Sequence, residues 1–92
     1  LGVGLGATAL GYTGYLKSLD YARNRPQGRT VGADPSSPQV MLTGHADVRR
    51  MLLAQKSYVE GALALGLFCA RLVDDEKTGS PEEAAAASTL LD

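Results

Sequence analysis

Arg23, Arg25, Gln27 and Arg29 form the densest group of side chains in this sequence suited to recognition chemistry. Guanidinium forks match phosphate oxygens and a Gln amide adds a neutral donor, so one reading is a phosphate clamp. The other is that cations gathered where a helix ends complement its negative pole and stand in water. Residue types alone leave both readings open.

Other groups carry less. Gly4-Leu5-Gly6-Ala7-Thr8-Ala9 matches a G-x-G-x-x-A dinucleotide fingerprint. That fingerprint needs a preceding strand and a βαβ unit, and no strand-like alternation surrounds it. Gly2, Gly4, Gly6, Gly11 and Gly14 each cost about 1 kcal/mol against Ala inside a helix, so close helix-to-helix packing is the expected use. Cys69 has no base near it in sequence and reads as a buried, inert thiol. His45 stands before a helical run and reads as a local cap or an exposed side chain. Glu60 borders an apolar stretch and could act as a base, but Lys56 four residues earlier makes it an ordinary ion-pair partner. One Cys and one His exclude both a disulfide framework and a zinc cage. No metal site is expected.

The elements that must position these residues follow from composition and period. The chain has 92 residues, 45% apolar and 21% charged, so one small domain is expected rather than a disordered tail. Nine Lys and Arg against ten Asp and Glu give a net charge of −1. Without a basic excess, nucleic acid and anionic membranes are not expected partners, and a helix-turn-helix reading fails. LGVGLGATALGYTGYL is uncharged but falls short of the roughly 20 residues a membrane span needs, and no basic segment precedes it. A globular, cytoplasmic piece is expected. Both ends read as cut through structure, which suggests a fragment.

Three helices are predicted, at about 5–25, 46–74 and 81–92, in an all-α fold. In the first, Leu5, Ala9, Tyr12, Leu16 and Leu19 follow one helical face until Pro26 discourages further helix at Arg25. Residues 28–44 make an unusually long connection with no catalytic spacing. The second helix carries a stripe of Val48, Leu52, Gln55, Val59, Leu63, Gly66, Ala70 and Val73. Over GALALGLFCA it is apolar on every side, so more partners than two companion helices are implied. Ser80-Pro81-Glu82-Glu83 opens the third helix with a capping box.

Two motifs in order, Tyr21-Ala22-Arg23-Asn24-Arg25-Pro26-Gln27-Gly28-Arg29 and His45-Ala46-Asp47-Val48-Arg49-Arg50-Met51-Leu52, resemble the acyl-CoA dehydrogenase family. The resemblance covers about residues 1–76 and is to the start of that family's C-terminal helical domain. It is strongest to the larger subgroup similar to methylmercaptopropionyl-CoA dehydrogenases. The sequence departs from the wider pattern at Asn24, where Glu is common, at Gly28, where Phe usually follows the Gln, and at Ala46, where Pro opens the helix. The subgroup shares the Gly28 departure.

The resemblance implies antiparallel helices forming part of a four-helix bundle, FAD as cofactor and α,β-dehydrogenation of an acyl-CoA thioester. It implies that Arg25 and Gln27 reach the FAD pyrophosphate region of a neighbouring subunit in a homo-oligomer, a dimer or a tetramer. An electron-transfer flavoprotein would be the redox partner. The family's catalytic Glu lies upstream of the first helix or well beyond the third, and Glu60 matches neither position, so no catalytic residue is assigned. On this reading the chain supplies one edge of a flavin site and is inactive alone. The alternative is a non-catalytic helical self-association module.

Overall fold

Pro26, Gly79 and Pro81 punctuate the chain where helical hydrogen bonding stops, leaving three helices: α1 (Gly2–Asn24), α2 (Ala46–Thr78) and α3 (Pro81–Leu91). A one-turn 3-10 segment, Leu42–Gly44, precedes α2. This computed structural model describes residues 1–92. The fold is all-α, and its one extended pairing is an isolated bridge between Pro26 and Met41.

Two helices outrun their sequence-based limits. α1 begins at Gly2 rather than Leu5, because the Leu5 amide already donates to the Leu1 carbonyl, so the glycines join the ladder. α2 continues through Asp74-Asp75-Glu76-Lys77 to Thr78, four residues beyond expectation. Arg71 pairs with Asp75 at 3.3 Å and the Thr78 hydroxyl donates to the Asp74 carbonyl, so this charged run is held in helix until Gly79. α3 opens as read: the Ser80 hydroxyl oxygen accepts from the Glu83 amide at 3.2 Å, and that hydroxyl donates to the Glu83 carboxylate.

α1 runs antiparallel to α2, with Leu5 against Gly66 and Gly11 against Val59. α3 doubles back onto the far third of α2, and α1 and α3 do not meet. The face of α1 that packs is Leu5, Thr8, Tyr12, Tyr15, Leu19 and Ala22, with Tyr15 and Ala22 buried. Ala9 and Leu16, expected on the packed stripe, stay exposed because the partner helix sits on the other side of Tyr12. Along α2, Leu52 and Leu72 are buried and most of the expected stripe is half-buried, but Gln55 and Leu63 are exposed.

The glycines of α1 do not serve as expected. A Cβ on Gly2, Gly4, Gly6 or Gly14 would meet nothing within 4 Å, and one on Gly11 only ordinary contact with Val59. The close approach is Gly66 of α2, where a Cβ would lie 2.7 Å from a Leu5 methyl. Nor is the chain globular: it measures 70 × 20 × 15 Å and buries five residues. Leu65, Leu67 and Phe68 in the apolar run of α2 are each more than half exposed, since two companion helices leave that run uncovered.

Candidate functional site

The long connection closes on itself through a narrow neck. The Gln27 amide donates to the Val40 carbonyl at 2.8 Å, the Leu42 amide to the Arg25 carbonyl at 2.9 Å, and the Val40 amide to the Gly28 carbonyl at 2.9 Å. Pro26 faces Met41 in the non-hydrogen-bonded register, the one position in such a pair where its missing N–H leaves no bond unmade. Backbone leaves α1 in extended conformation at Arg25 (φ −104°, ψ 109°). Alternation along this extended run puts Arg25 and Gln27 on one face of the neck, with Pro26 on the other.

His45 locks the neck to α2. A carbonyl can only accept, so its Nε2–H donates to the Gln27 oxygen, 2.6 Å away. This corrects the reading of His45 as a cap or an exposed side chain: it stands at the cap position without a side-chain capping bond and is half-buried. Gly28 takes the left-handed conformation (φ +72°), and a Cβ there would lie 3.3 Å from both Cε1 and Nε2 of the imidazole. The turn therefore demands glycine twice, by backbone and by space, which accounts for the absence of a Phe after Gln27.

The four-residue clamp does not assemble as one cluster. Arg29 is occupied within the loop, donating from Nε to the Ser37 carbonyl. Arg23 sits in the last turn of α1 and shares a groove with Arg49 and Lys56 of α2 over a floor of Tyr15, Leu19 and Leu52. Arg25 and Gln27 remain together, exposed, with neither side chain engaged by another residue of the chain. Two free donors on one rigid face, one cationic and one neutral, suit an anionic group such as a pyrophosphate. The loop beyond them is braced at Asp34, whose carboxylate accepts from the amide and hydroxyl of Ser36 at 2.9 and 2.8 Å. Those two bonds, the amide first, hold Asp34 below the ordinary carboxylate range.

The remaining candidates separate. Glu60 is exposed and 4.0 Å from Lys56. Cys69 is half-buried rather than sequestered and lies beside Leu1, Gly4 and Gly66. No three His, Cys, Asp or Glu side chains come together. Gly4 to Ala9 lie inside α1, not between a strand and a helix. Sequence reasoning missed His45 as the link between the two motifs; a glycine held close by a ring seventeen residues on leaves no local signature.

The curated relatives that the chain matches are all named as one kind of enzyme. The broad-specificity linear acyl-CoA dehydrogenase FadE5 of Mycobacterium tuberculosis is 47% identical over 74 residues, covering 78% of this chain and 12% of that protein. A butyryl-CoA dehydrogenase of Syntrophomonas wolfei is 37% identical over 83 residues, covering 88% of this chain and 13% of its own length. The 3-methylmercaptopropionyl-CoA dehydrogenase of Ruegeria pomeroyi is 38% identical over 84 residues, covering 91% and 14%. No family model matches the chain, and no solved structure matches it. The chain belongs to the acyl-CoA dehydrogenase family. It spans about an eighth of the length of the curated relatives it matches. No helix is long and apolar enough to cross a membrane.

Proposed function

We propose that this chain is a segment of the C-terminal helical domain of a FAD-dependent acyl-CoA dehydrogenase of the cytoplasm, and that Arg25 and Gln27 form one edge of its flavin site. The observation that carries the reading is the neck itself. Its backbone bonds and His45 hold two unengaged donors on one face, where a guanidinium fork and an amide can hold a pyrophosphate. When bound, FAD would supply the hydride acceptor for α,β-dehydrogenation of an acyl-CoA thioester. This chain's part is binding and assembly: it contains no carboxylate matching the family's base and is inactive alone. An electron-transfer flavoprotein would reoxidise the parent enzyme, which would work as a homodimer or homotetramer. The non-catalytic association reading keeps one observation in its favour, the uncovered apolar middle of α2.

The test is the visible spectrum of the protein encoded by the longer reading frame around this segment, purified without added cofactor. Flavin bands that shift on adding an acyl-CoA are expected. Arg25→Ala should weaken FAD retention by about ten- to a hundredfold, the worth of a charge-assisted hydrogen bond. A protein that stays colourless when supplied with FAD, yet helical and oligomeric, would leave the association module as the better description.

A further inference from the structure

The cation group around Arg25 divides in the structure, and Arg23 is left without a role on the neck. It lines a groove of about 360 Å³ between α1 and α2. Arg49 and Lys56 of α2 line the same groove, and no carboxylate does.

These cations lack the partners their neighbours have. Arg50 pairs with Asp47 at 2.8 Å and Arg71 with Asp75 at 3.3 Å. Arg23 and Arg49 form no ion pair within the chain, and Lys56 reaches Glu60 only at 4.0 Å. Thr43 adds a half-buried hydroxyl to the groove. The hydroxyls of Thr8, Thr13, Thr78 and Thr89 each donate to a carbonyl four residues back, but that of Thr43 engages no residue of the chain. Three cations and a hydroxyl therefore border one hollow with no anionic partner.

The floor of the hollow is already closed, since Tyr15 and Leu52 are buried where α1 packs on α2. A further helix laid there would strip water from three cations without pairing them. Apolar walls beneath the cations focus their field into the hollow. Its volume falls within the range of small-ligand sites, about 300–1,000 Å³.

We propose that this groove is a second anion site, separate from the flavin edge, and that it takes a nucleoside diphosphate group. The phosphates lie against Arg23, Arg49 and Lys56, and the nucleoside covers the floor of Tyr15 and Leu52. Two linked phosphoryl groups offer oxygens to a guanidinium from each helix at once, which a single carboxylate does not. Free nucleotides and coenzyme A both carry this group. The proposal does not rest on the flavin reading, because neither Arg25 nor Gln27 lines the groove.

The test is calorimetric titration of ADP, coenzyme A and inorganic pyrophosphate into the protein encoded by the longer reading frame, with FAD in excess. ADP should bind, with a dissociation constant that rises about tenfold or more between low and high salt. Arg23→Ala and Arg49→Ala should each weaken binding about ten- to a hundredfold, the worth of a charge-assisted hydrogen bond. Arg50→Ala should leave it within about twofold, since Asp47 already holds that side chain. All three substitutions put a strong helix former at an exposed helical position, so loss of fold does not account for the difference. Pyrophosphate should bind at least about fivefold more weakly than ADP, because it leaves the floor bare. Tighter binding of coenzyme A than of ADP would support the proposal with the coenzyme as source, and the reverse order would support it with a free nucleotide. No binding of ADP, pyrophosphate binding as tight as ADP, or an equal loss in Arg50→Ala and Arg49→Ala would each overturn it. A protein that never retains flavin yet binds ADP through Arg49 would sink the flavin reading and leave this one standing.

Discussion

The imidazole of His45 donates from Nε2 to the main-chain carbonyl of Gln27 across 2.6 Å, tying the first turn of α2 to the neck that displays Arg25. His45→Ala should therefore loosen the neck rather than the helices. A cost of about 0.5–1.5 kcal/mol is expected, the net worth of one hydrogen bond. Urea unfolding at fixed chain concentration measures it, and unchanged stability would show that the backbone bonds of the neck suffice without the ring.

Gly28 and Gly32 offer a matched pair. Both hold positive φ, +72° and +82°, but only Gly28 has a ring where its Cβ would stand. Gly32→Ala should cost about 1–2 kcal/mol for the left-handed backbone alone. Gly28→Ala should cost more, because the His45 ring must also move. Equal losses in paired unfolding curves would refute the role given to the ring.

The capping box at α3 is open to a simple deletion. Ser80→Ala removes the oxygen that accepts from the Glu83 amide and should cost about 1 kcal/mol. Circular dichroism should show fraying confined to the eleven residues of Pro81–Leu91, with α1 and α2 unaffected.

Asp34 sets an acid limit on loop order. Its folded-state carboxyl lies below the ordinary aspartate value, so its contribution is present above the unfolded value and is lost as pH falls through the folded one. The Ser36 amide resonance should move with the Asp34 carboxyl in an NMR titration, with a midpoint below that of a free aspartate. Asp34→Asn should abolish the transition while the helices stay intact. A Ser36 amide that does not move would separate the two groups.

Much of the fold was legible one residue at a time. Pro26 stops α1, Ser80 and Glu83 start α3, and the absence of strand-like alternation makes the chain all-α, because each of these is a property of local backbone chemistry. The two motifs around Arg25 and His45 pointed to a family of enzymes whose curated members the chain matches. The packing of α1 was beyond the sequence's reach. Leu5, Tyr12 and Leu19 belong equally to a stripe with Ala9 and Leu16 or to one with Thr8, Tyr15 and Ala22, and period alone does not choose between them. Only the position of α2 does, by burying Tyr15 and leaving Leu16 in the open. The same holds for His45 and Gly28, seventeen residues apart. A turn glycine and a ring so far apart share no period, so only the return of the loop onto the start of α2 brings them into contact.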